Sequence, residues 1–305
     1  MTQTKTTETP ASPRPLGQVL MLAADYLRRR GSPSARLDAE LLLAHVLGFT
    51  RLDLYVQFDR PLMEKELAPF RELVRRRGRG EPVAYLVGQR EFRSRTFMVT
   101  PAVLIPRPET ELLVETALEA LADTPPGWAV DVGTGSGAIA VTLALEAPSR
   151  SVAAVDVSAA ALDVARANAR RHGVEETITW LQGDLLAPVV AARCVPLTAV
   201  VSNPPYVATG DWERLDPTVR DYEPRIALDG GEDGLRIIAR LIAESATYLA
   251  PGGFLALEIG AGQQVGVAQL LAEAGFEHVQ WRHDGAGHPR VALARQPDRG
   301  GRPVP

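Results

Sequence analysis

The sequence predicts an α/β chain in two parts, a small helical domain followed by a doubly wound, mostly parallel sheet. Three observations carry that prediction. Residues 15 to 88 repeat apolar residues at helical spacing, short apolar runs alternate with helical patterns from Pro101 onward, and the first of those runs leads into a glycine-rich loop that opens a helix. The length of 305 residues favours two domains over one, because single cores stop growing near this size. With 46% hydrophobic residues and only one cysteine, the chain is neither disordered, fibrous nor stapled by disulfides.

The elements follow in order. Residues 1 to 14 are rich in Thr and Pro and are expected as a disordered tail without the apolar core of a signal peptide. Pro15 opens a helix that aligns Leu16, Val19, Leu20, Ala23 and Leu27 on one face and stops at Gly31. The same period recurs in Leu37, Leu41 and Ala44 before Gly48, and in Leu62, Leu67, Phe70 and Val74 before Gly78. Residues 15 to 88 therefore read as a helical bundle. Residues 89 to 100 mix Phe92, Thr96, Phe97 and Val99 with charges, which suits a β-ribbon linker.

A domain spanning 101 to 295 comes next. Helix Glu109 to Ala122 precedes the run Ala129 to Val132, helix Gly137 to Glu146, strand Val152 to Asp156 and helix Ser158 to His172. Strands Thr177 to Leu181 and Leu197 to Val201 follow, then helix Leu235 to Leu249, strand Phe254 to Ile259 and helix Gln263 to Ala274. Segments near Val279 to Arg282 and Arg290 to Ala294 close the sheet, and 296 to 305 are expected as a flexible tail. Helices of this length between strands imply right-handed crossovers and a sheet covered on both faces.

The net charge of −4 hides a split, +6 over residues 1 to 100 and −10 over the remainder. Two regions with different partners are expected. Lys5 and Lys65 are the only lysines among 33 basic residues, a bias toward Arg that precedes any functional reading. No run approaches the roughly 18 apolar residues of a membrane span. Cys194, beside Val195 and Leu197, reads as a small buried hydrophobe, and the cytoplasm is the expected compartment. The histidines His45, His172, His278, His283 and His288 lack metal-ligand spacing, apart from His278 and His283, five residues apart in a segment that reads as a strand, so no metal is expected.

Between the first predicted strand and its helix lies Gly133-Thr134-Gly135-Ser136-Gly137, preceded by Asp131. Glycines there let the backbone turn sharply and approach a ligand. Asp156 ends the next strand, 19 residues after Gly137, where a carboxylate accepts hydrogen bonds from ribose hydroxyls. A nucleoside-bearing cofactor is indicated, either a nicotinamide or flavin dinucleotide or S-adenosylmethionine, and the GxGxG spacing leans to the methyl donor. Asp184 and Leu185 follow the third strand, placed to receive an adenine amino group and to lie against its ring; the plain alternative is a loop aspartate.

The fourth strand runs into Asn203-Pro204-Pro205-Tyr206, whose plain alternative is a turn. A planar NH2, carboxamide or exocyclic amine, is a poor nucleophile and has to be held facing the donor methyl. Asn203 offers a side-chain carbonyl to one N–H and Pro204 a backbone carbonyl to the other, while the prolines remove competing donors and fix the chain direction. Tyr206 is expected to flank the planar group with its ring. Two acceptors favour the positive charge that develops on nitrogen, so no general base is needed before attack.

The glycine loop, Asp156 and Asn203 to Tyr206 together resemble the class I S-adenosylmethionine-dependent amino methyltransferases. More specific segments resemble the HemK/PrmC family of peptide chain release factor glutamine N5-methyltransferases: Glu81 to Gly88, Leu104 to Glu111, Tyr222 to Leu228, Gly230 to Leu235 and Leu257 to Gly260. The resemblance covers roughly residues 15 to 295 and implies a five-helix N-terminal domain, a seven-stranded sheet, and methylation of the Gln in the Gly-Gly-Gln motif of bacterial class I release factors. It assigns Gly133, Thr134, Gly135, Ser136, Gly137 and Asp156 to the donor, Asn203 to both donor and substrate, and Pro204, Pro205 and Tyr206 to the glutamine amide. Phe97 and Thr110 are expected to line the donor pocket. The family often carries Trp where this chain has Leu185, which puts the aromatic contact with adenine in doubt.

The same tetrapeptide serves DNA adenine methyltransferases, but these need cations around the site and a flipped base. The −10 of the later region and the lack of an inserted recognition segment disfavour DNA. A ribosomal-protein glutamine methyltransferase is the nearer alternative, set back by the run Pro106 to Thr110. A non-catalytic binding module would be expected to have lost Asn203 or the glycines. Arg71, Arg75, Arg76, Arg77 and Arg79 are first read as a solvated helix end. Their functional reading makes the bundle the docking surface for the release factor body.

Overall fold

The computed structural model describes residues 14–298. The chain divides into two compact units at Val87 and Gly88. In the first unit, five helices enclose an apolar core: α1 (Leu16–Arg29), α2 (Ala35–Leu47), α3 (Arg51–Val56), α4 (Glu64–Arg77) and α5 (Val83–Val87). The face of α1 is the one its periodicity predicts, with Leu16, Leu20 and Leu27 buried. That of α2 is not. Leu37 is exposed, and the buried face instead carries Ala39, Leu42 and Leu43 together with Asp38 and Glu40.

Those two acids are buried because each is fully engaged. Asp38 accepts from Ser32 Oγ at 2.6 Å, Ser34 Oγ at 2.8 Å and Arg77 Nε at 2.7 Å. Glu40 accepts from Tyr55, Arg36 and Arg51; burial alone would raise its pKa, but these hydrogen bonds outweigh it and hold it below the usual range. Leu62 also departs from expectation: Pro61–Leu62 pairs as a short strand with Arg14–Pro15, and α4 starts only at Glu64. Arg14 is thereby ordered, and the remainder of the expected N-terminal tail lies outside the described residues.

The second unit is built on a seven-stranded sheet: β1 (Trp128–Val132), β2 (Ser151–Asp156), β3 (Ile178–Gln182), β4 (Leu197–Ser202), β5 (Leu249–Glu258), β6 (Glu277–His283) and β7 (Pro289–Arg295). The spatial order is β6-β7-β5-β4-β1-β2-β3, with β1 to β5 parallel and β7 antiparallel to both neighbours. Alternation along the strands sends Ala129, Ala199 and Ala256 to one face and Val130, Val200, Leu255 and Leu257 to the other. Helices α6 (Pro108–Ala122), α7 (Ala138–Glu146) and α8 (Ala159–Arg171) bury apolar residues against the first layer. Helices α11 (Arg236–Tyr248) and α12 (Gln264–Glu273) pack on the second; two short helices, α9 (Ala187–Ala191) and α10 (Pro217–Arg220), lie in the connections. Strand order reverses between β1 and β4, so a crevice opens at their carboxyl ends.

The ribbon predicted as a linker is a hairpin, Gln89–Phe92 with Arg95–Met98, and it belongs to the second unit. Phe92 and Phe97 are buried in that unit's core, their rings edge to face at 6.0 Å. At the other end Gln296 continues the sheet, its N–H donating to Gly253 O at 2.8 Å, where a flexible tail was expected from 296. Of that expected tail, 299 to 305 lie outside the described residues. Cys194 is buried. Among the described residues no helix is long and apolar enough to cross a membrane.

Candidate active site

At the crevice the loop between β1 and α7 turns through three glycines, Gly133, Gly135 and Gly137, with φ of +75°, +55° and +80°. Gly133 N and Thr134 N both donate to Val155 O at 2.9 Å, which fastens the loop to the end of β2. Asp156, the last residue of β2, accepts Gly135 N on Oδ2 and Ser158 N on Oδ1, each at 2.9 Å. Burial raises its pKa against these two hydrogen bonds. Each carboxylate oxygen still has a lone pair for a further donor.

Beneath the loop, Asp131 is fully buried. Its Oδ2 accepts Thr134 Oγ1 at 2.6 Å and Ala140 N at 3.0 Å, whereas Oδ1 has no partner among the described residues, and burial pushes its pKa up to about 7. Asn168 on α8 is buried too, donating through Nδ2 to Ser136 O and Met98 O, each at 2.9 Å, and accepting Met98 N at 2.6 Å. One side chain thus ties the glycine loop to the hairpin.

The loop floors a cavity of about 530 Å³. Gly133, Thr134, Gly135, Ser136, Asp156, Asp184, Leu185, Asn203, Pro204 and Pro205 line it, as does Thr110, alongside apolar Leu104, Ile139 and Val157. Four predicted residues behave differently. Gly137 turns away from the cavity to let α7 pass close to α8, where an added Cβ would sit 3.0 Å from that of Ala165. Phe97 is buried in the core beneath the hairpin, its ring tilted against that of His172 with centroids 5.0 Å apart, and does not line the cavity. Tyr206 does not line it either: its ring packs on the apolar layer and its hydroxyl donates to Glu258 Oε1 at 3.4 Å, while burial raises its pKa. Asp184 reaches the cavity with Oδ2 already bound to Arg240 Nη2 at 2.6 Å.

Asn203 follows directly from β4, held by Ser202, whose hydroxyl donates to Val132 O at 2.7 Å. Its Nδ2 donates to Thr110 Oγ1 at 3.0 Å, and Thr110 Oγ1 donates to Glu258 Oε2 at 2.6 Å. Glu258 ends β5 and is buried, which pushes its pKa up to about 7. Gln263 Nε2 donates to Tyr206 O at 2.9 Å and so anchors the end of the tetrapeptide. Glu223 clamps the segment before α6 by accepting Ile105 N at 3.0 Å and Arg107 Nη2 at 2.5 Å.

Comparison with known proteins identifies the family. Residues 18–88 match the PrmC N-terminal domain model and residues 108–215 the methyltransferase small domain model. A release factor glutamine methyltransferase of Rhodopirellula baltica is 44% identical over 280 residues, 90% of this chain and 94% of its own. That of Geobacter sulfurreducens is 44% identical over 279 residues, 91% of this chain and 95% of its own. The chain belongs to the release factor glutamine methyltransferase family. Among solved structures, the hMettl16 catalytic domain shares the sheet at TM-score 0.52 and 15% identity, covering 68% of this chain and 77% of that one. That likeness speaks to fold alone.

Within the candidate site, Asn168 and the orphan oxygen of Asp131 are features that pattern reading passed over, and Glu258, which lies in the resembling segment Leu257 to Gly260, was given no role there. A signal existed for two of them. Asn168 falls on the otherwise apolar face of α8 with Leu162, Ala165 and Ala169, and Glu258 closes the apolar run of β5. A polar residue on a buried face requires a partner, but the partner is not named by its own sequence neighbourhood.

Proposed function

We propose that the chain transfers a methyl group from S-adenosylmethionine to the side-chain amide nitrogen (N5) of the glutamine in the Gly-Gly-Gln motif of bacterial peptide chain release factors. The observation that supports this most is Asn203 at the end of β4, beside a cavity floored by the glycine loop, in a chain 44% identical to release factor glutamine methyltransferases. The cytoplasm, where release factors act, is the compartment this substrate implies.

The residues present fit the donor. Open space lies where a Cβ of Gly133 would stand, the two Asp156 oxygens retain lone pairs suited to ribose hydroxyls, and Ile139, Val157 and Leu185 offer apolar flanks for adenine. The unpartnered Oδ1 of Asp131 is an acceptor waiting under the same loop. Asp184 keeps Oδ1 for the adenine amino group. S-adenosylmethionine supplies an electrophilic methyl and leaves as S-adenosylhomocysteine.

The chain's own part is positioning. Asn203 Oδ1 and the Pro204 carbonyl accept the two N–H groups of the glutamine amide, turning its nitrogen toward the donor. As the N–C bond forms, positive charge grows on that nitrogen, and two fixed carbonyl dipoles stabilise it without reorganising. Pro205 keeps a competing N–H out of the site, and Tyr206 holds the tetrapeptide from behind through Glu258 and Gln263. The methylated amide sheds its extra proton readily, so no base is required beforehand.

Incubation with labelled S-adenosylmethionine and, separately, release factor, its Gln→Ala variant, ribosomal protein and duplex DNA tests the assignment. Label is expected on the intact factor alone. Label on DNA, or undiminished label on the Gln→Ala factor, overturns it. Asn203→Ala is expected to lower kcat by about 100-fold or more while retaining most donor affinity, because it removes an acceptor that matters most in the transition state.

A further inference from the structure

Glu258 touches neither the proposed donor nor the proposed substrate, yet it is a nearly fully buried carboxyl joined to Asn203 through one hydroxyl. Thr110 Oγ1 has a single proton, and at 2.6 Å from Glu258 Oε2 that proton is committed to the carboxylate. Toward Asn203 the hydroxyl therefore shows only lone pairs. Of the two ends of the Asn203 amide, only the NH2 is able to approach them, and it does so at 3.0 Å. The carbonyl end is left for whatever enters the cavity.

We propose that Glu258 and Thr110 form a lock on the Asn203 amide, with Glu258 a positioning residue that forbids the flipped amide. The lock serves methyl transfer because a flipped Asn203 would present N–H to the N–H of a substrate amide, replacing a hydrogen bond with a clash of donors. The inference rests on the reading that the substrate is a primary amide. It concerns orientation only, so donor binding is expected to be nearly indifferent to it.

The lock has a pH arm. An ionised Glu258 only accepts, whereas a protonated one donates to Thr110 and frees the hydroxyl proton to face Asn203. Burial places that change at about 7. The charged and titratable groups facing the carboxyl are Glu109, which adds to the upward shift, Arg290, which opposes it, and the Tyr206 hydroxyl. Transfer is therefore expected to rise with pH through neutrality.

Methylation of whole release factor by the full chain tests this, with kcat, KM, donor Kd and Tm measured for each variant. Thr110→Val, which keeps the side-chain shape, and Glu258→Leu are expected to lower kcat by about tenfold or more with donor Kd within about twofold. Thr110→Ser is expected to restore kcat to within about threefold of wild type. Glu258→Gln, a neutral mimic of the protonated carboxyl whose NH2 donates to Thr110, is expected to hold kcat near the low-pH level of wild type and to flatten its rise between pH 6 and 8.5. Unchanged kcat in Thr110→Val, or an equal loss in Thr110→Ser, overturns the lock, and Thr110→Val keeps the test open if Glu258→Leu does not fold. A wild-type protein that leaves release factor unlabelled would instead refute the substrate.

Discussion

Gly133 and Gly137 have nearly the same backbone, φ +75° and +80°, but what surrounds them differs. Among the described residues, nothing beyond its chain neighbours lies within 4 Å of a Cβ placed on Gly133, whereas one on Gly137 meets Ala165 Cβ at 3.0 Å and its Cα at 3.1 Å. An alanine at either position bears the left-handed penalty of about 1–2 kcal/mol. At Gly137 overpacking against α8 adds to it, by about 1–3 kcal/mol. Gly133→Ala is thus expected to keep much of its stability and to lose donor affinity, because the new methyl occupies the space left open beside the cavity. Gly137→Ala is expected to show the reverse order, with the larger fall in urea midpoint. Urea unfolding without donor, set beside donor titration, separates the two.

At the scale of elements, the hairpin Gln89–Phe92 and Arg95–Met98 shows what pattern could and could not convey. Its alternation identified strands, but a polar-apolar ribbon between two domains reads equally as a linker or as a cover. The distinction lies 70 residues away, in the Asn168 amide that binds both backbone groups of Met98. The parallel sheet was legible because helices and strands alternate at lengths that permit one handedness and two covered faces, and the glycine loop because strand, turn and helix adjoin in sequence. Helix α2 was misphased for the opposite reason: it is apolar nearly all round, so its inward face was decided by Asp38 and Glu40 finding Arg77, Arg51 and Tyr55 on other helices. Within the site, Asn203 was visible from its own tetrapeptide, while Glu258 needed the fold to bring β5 beside α6. Asn168→Ala is expected to cost about 1–3 kcal/mol, since it strips partners from part-buried backbone groups of Met98. Donor affinity should fall in parallel, because Ser136 O loses the same anchor. A variant that unfolds at the wild-type urea concentration would show that the hairpin is held by Phe92 and Phe97 alone.

At the scale of the whole molecule, the net −4 divides into a basic first third and an acidic remainder, and the structure sorts the cations responsible. Arg77 is spent inside the first unit, its side chain 10% exposed and bound to Asp38. Arg76 pairs with Glu81 at 2.5 Å. Arg71 and Arg75 differ: they pair with Glu64 and Glu72 on the same helix while remaining more than half exposed, and they border a groove between α1 and α4 with Leu22 and Tyr26. Exposed pairs of this kind contribute little to stability, so these two arginines are free to exchange partners at small cost. Arg77 is thereby withdrawn from a docking role for the first unit, and the exposed Arg71 and Arg75 are the pair on which docking against an acidic patch of the substrate is to be tested. Such contacts act on encounter and residence and weaken with salt. The double variant Arg71→Glu and Arg75→Glu is accordingly expected to raise KM for whole release factor by about fivefold or more at low salt, with the difference shrinking as salt is added. Its kcat on whole factor, and its KM for a short Gly-Gly-Gln peptide that reaches only the cavity, should stay at wild-type values. Equal effects on factor and peptide would return the cluster to a solvated helix end.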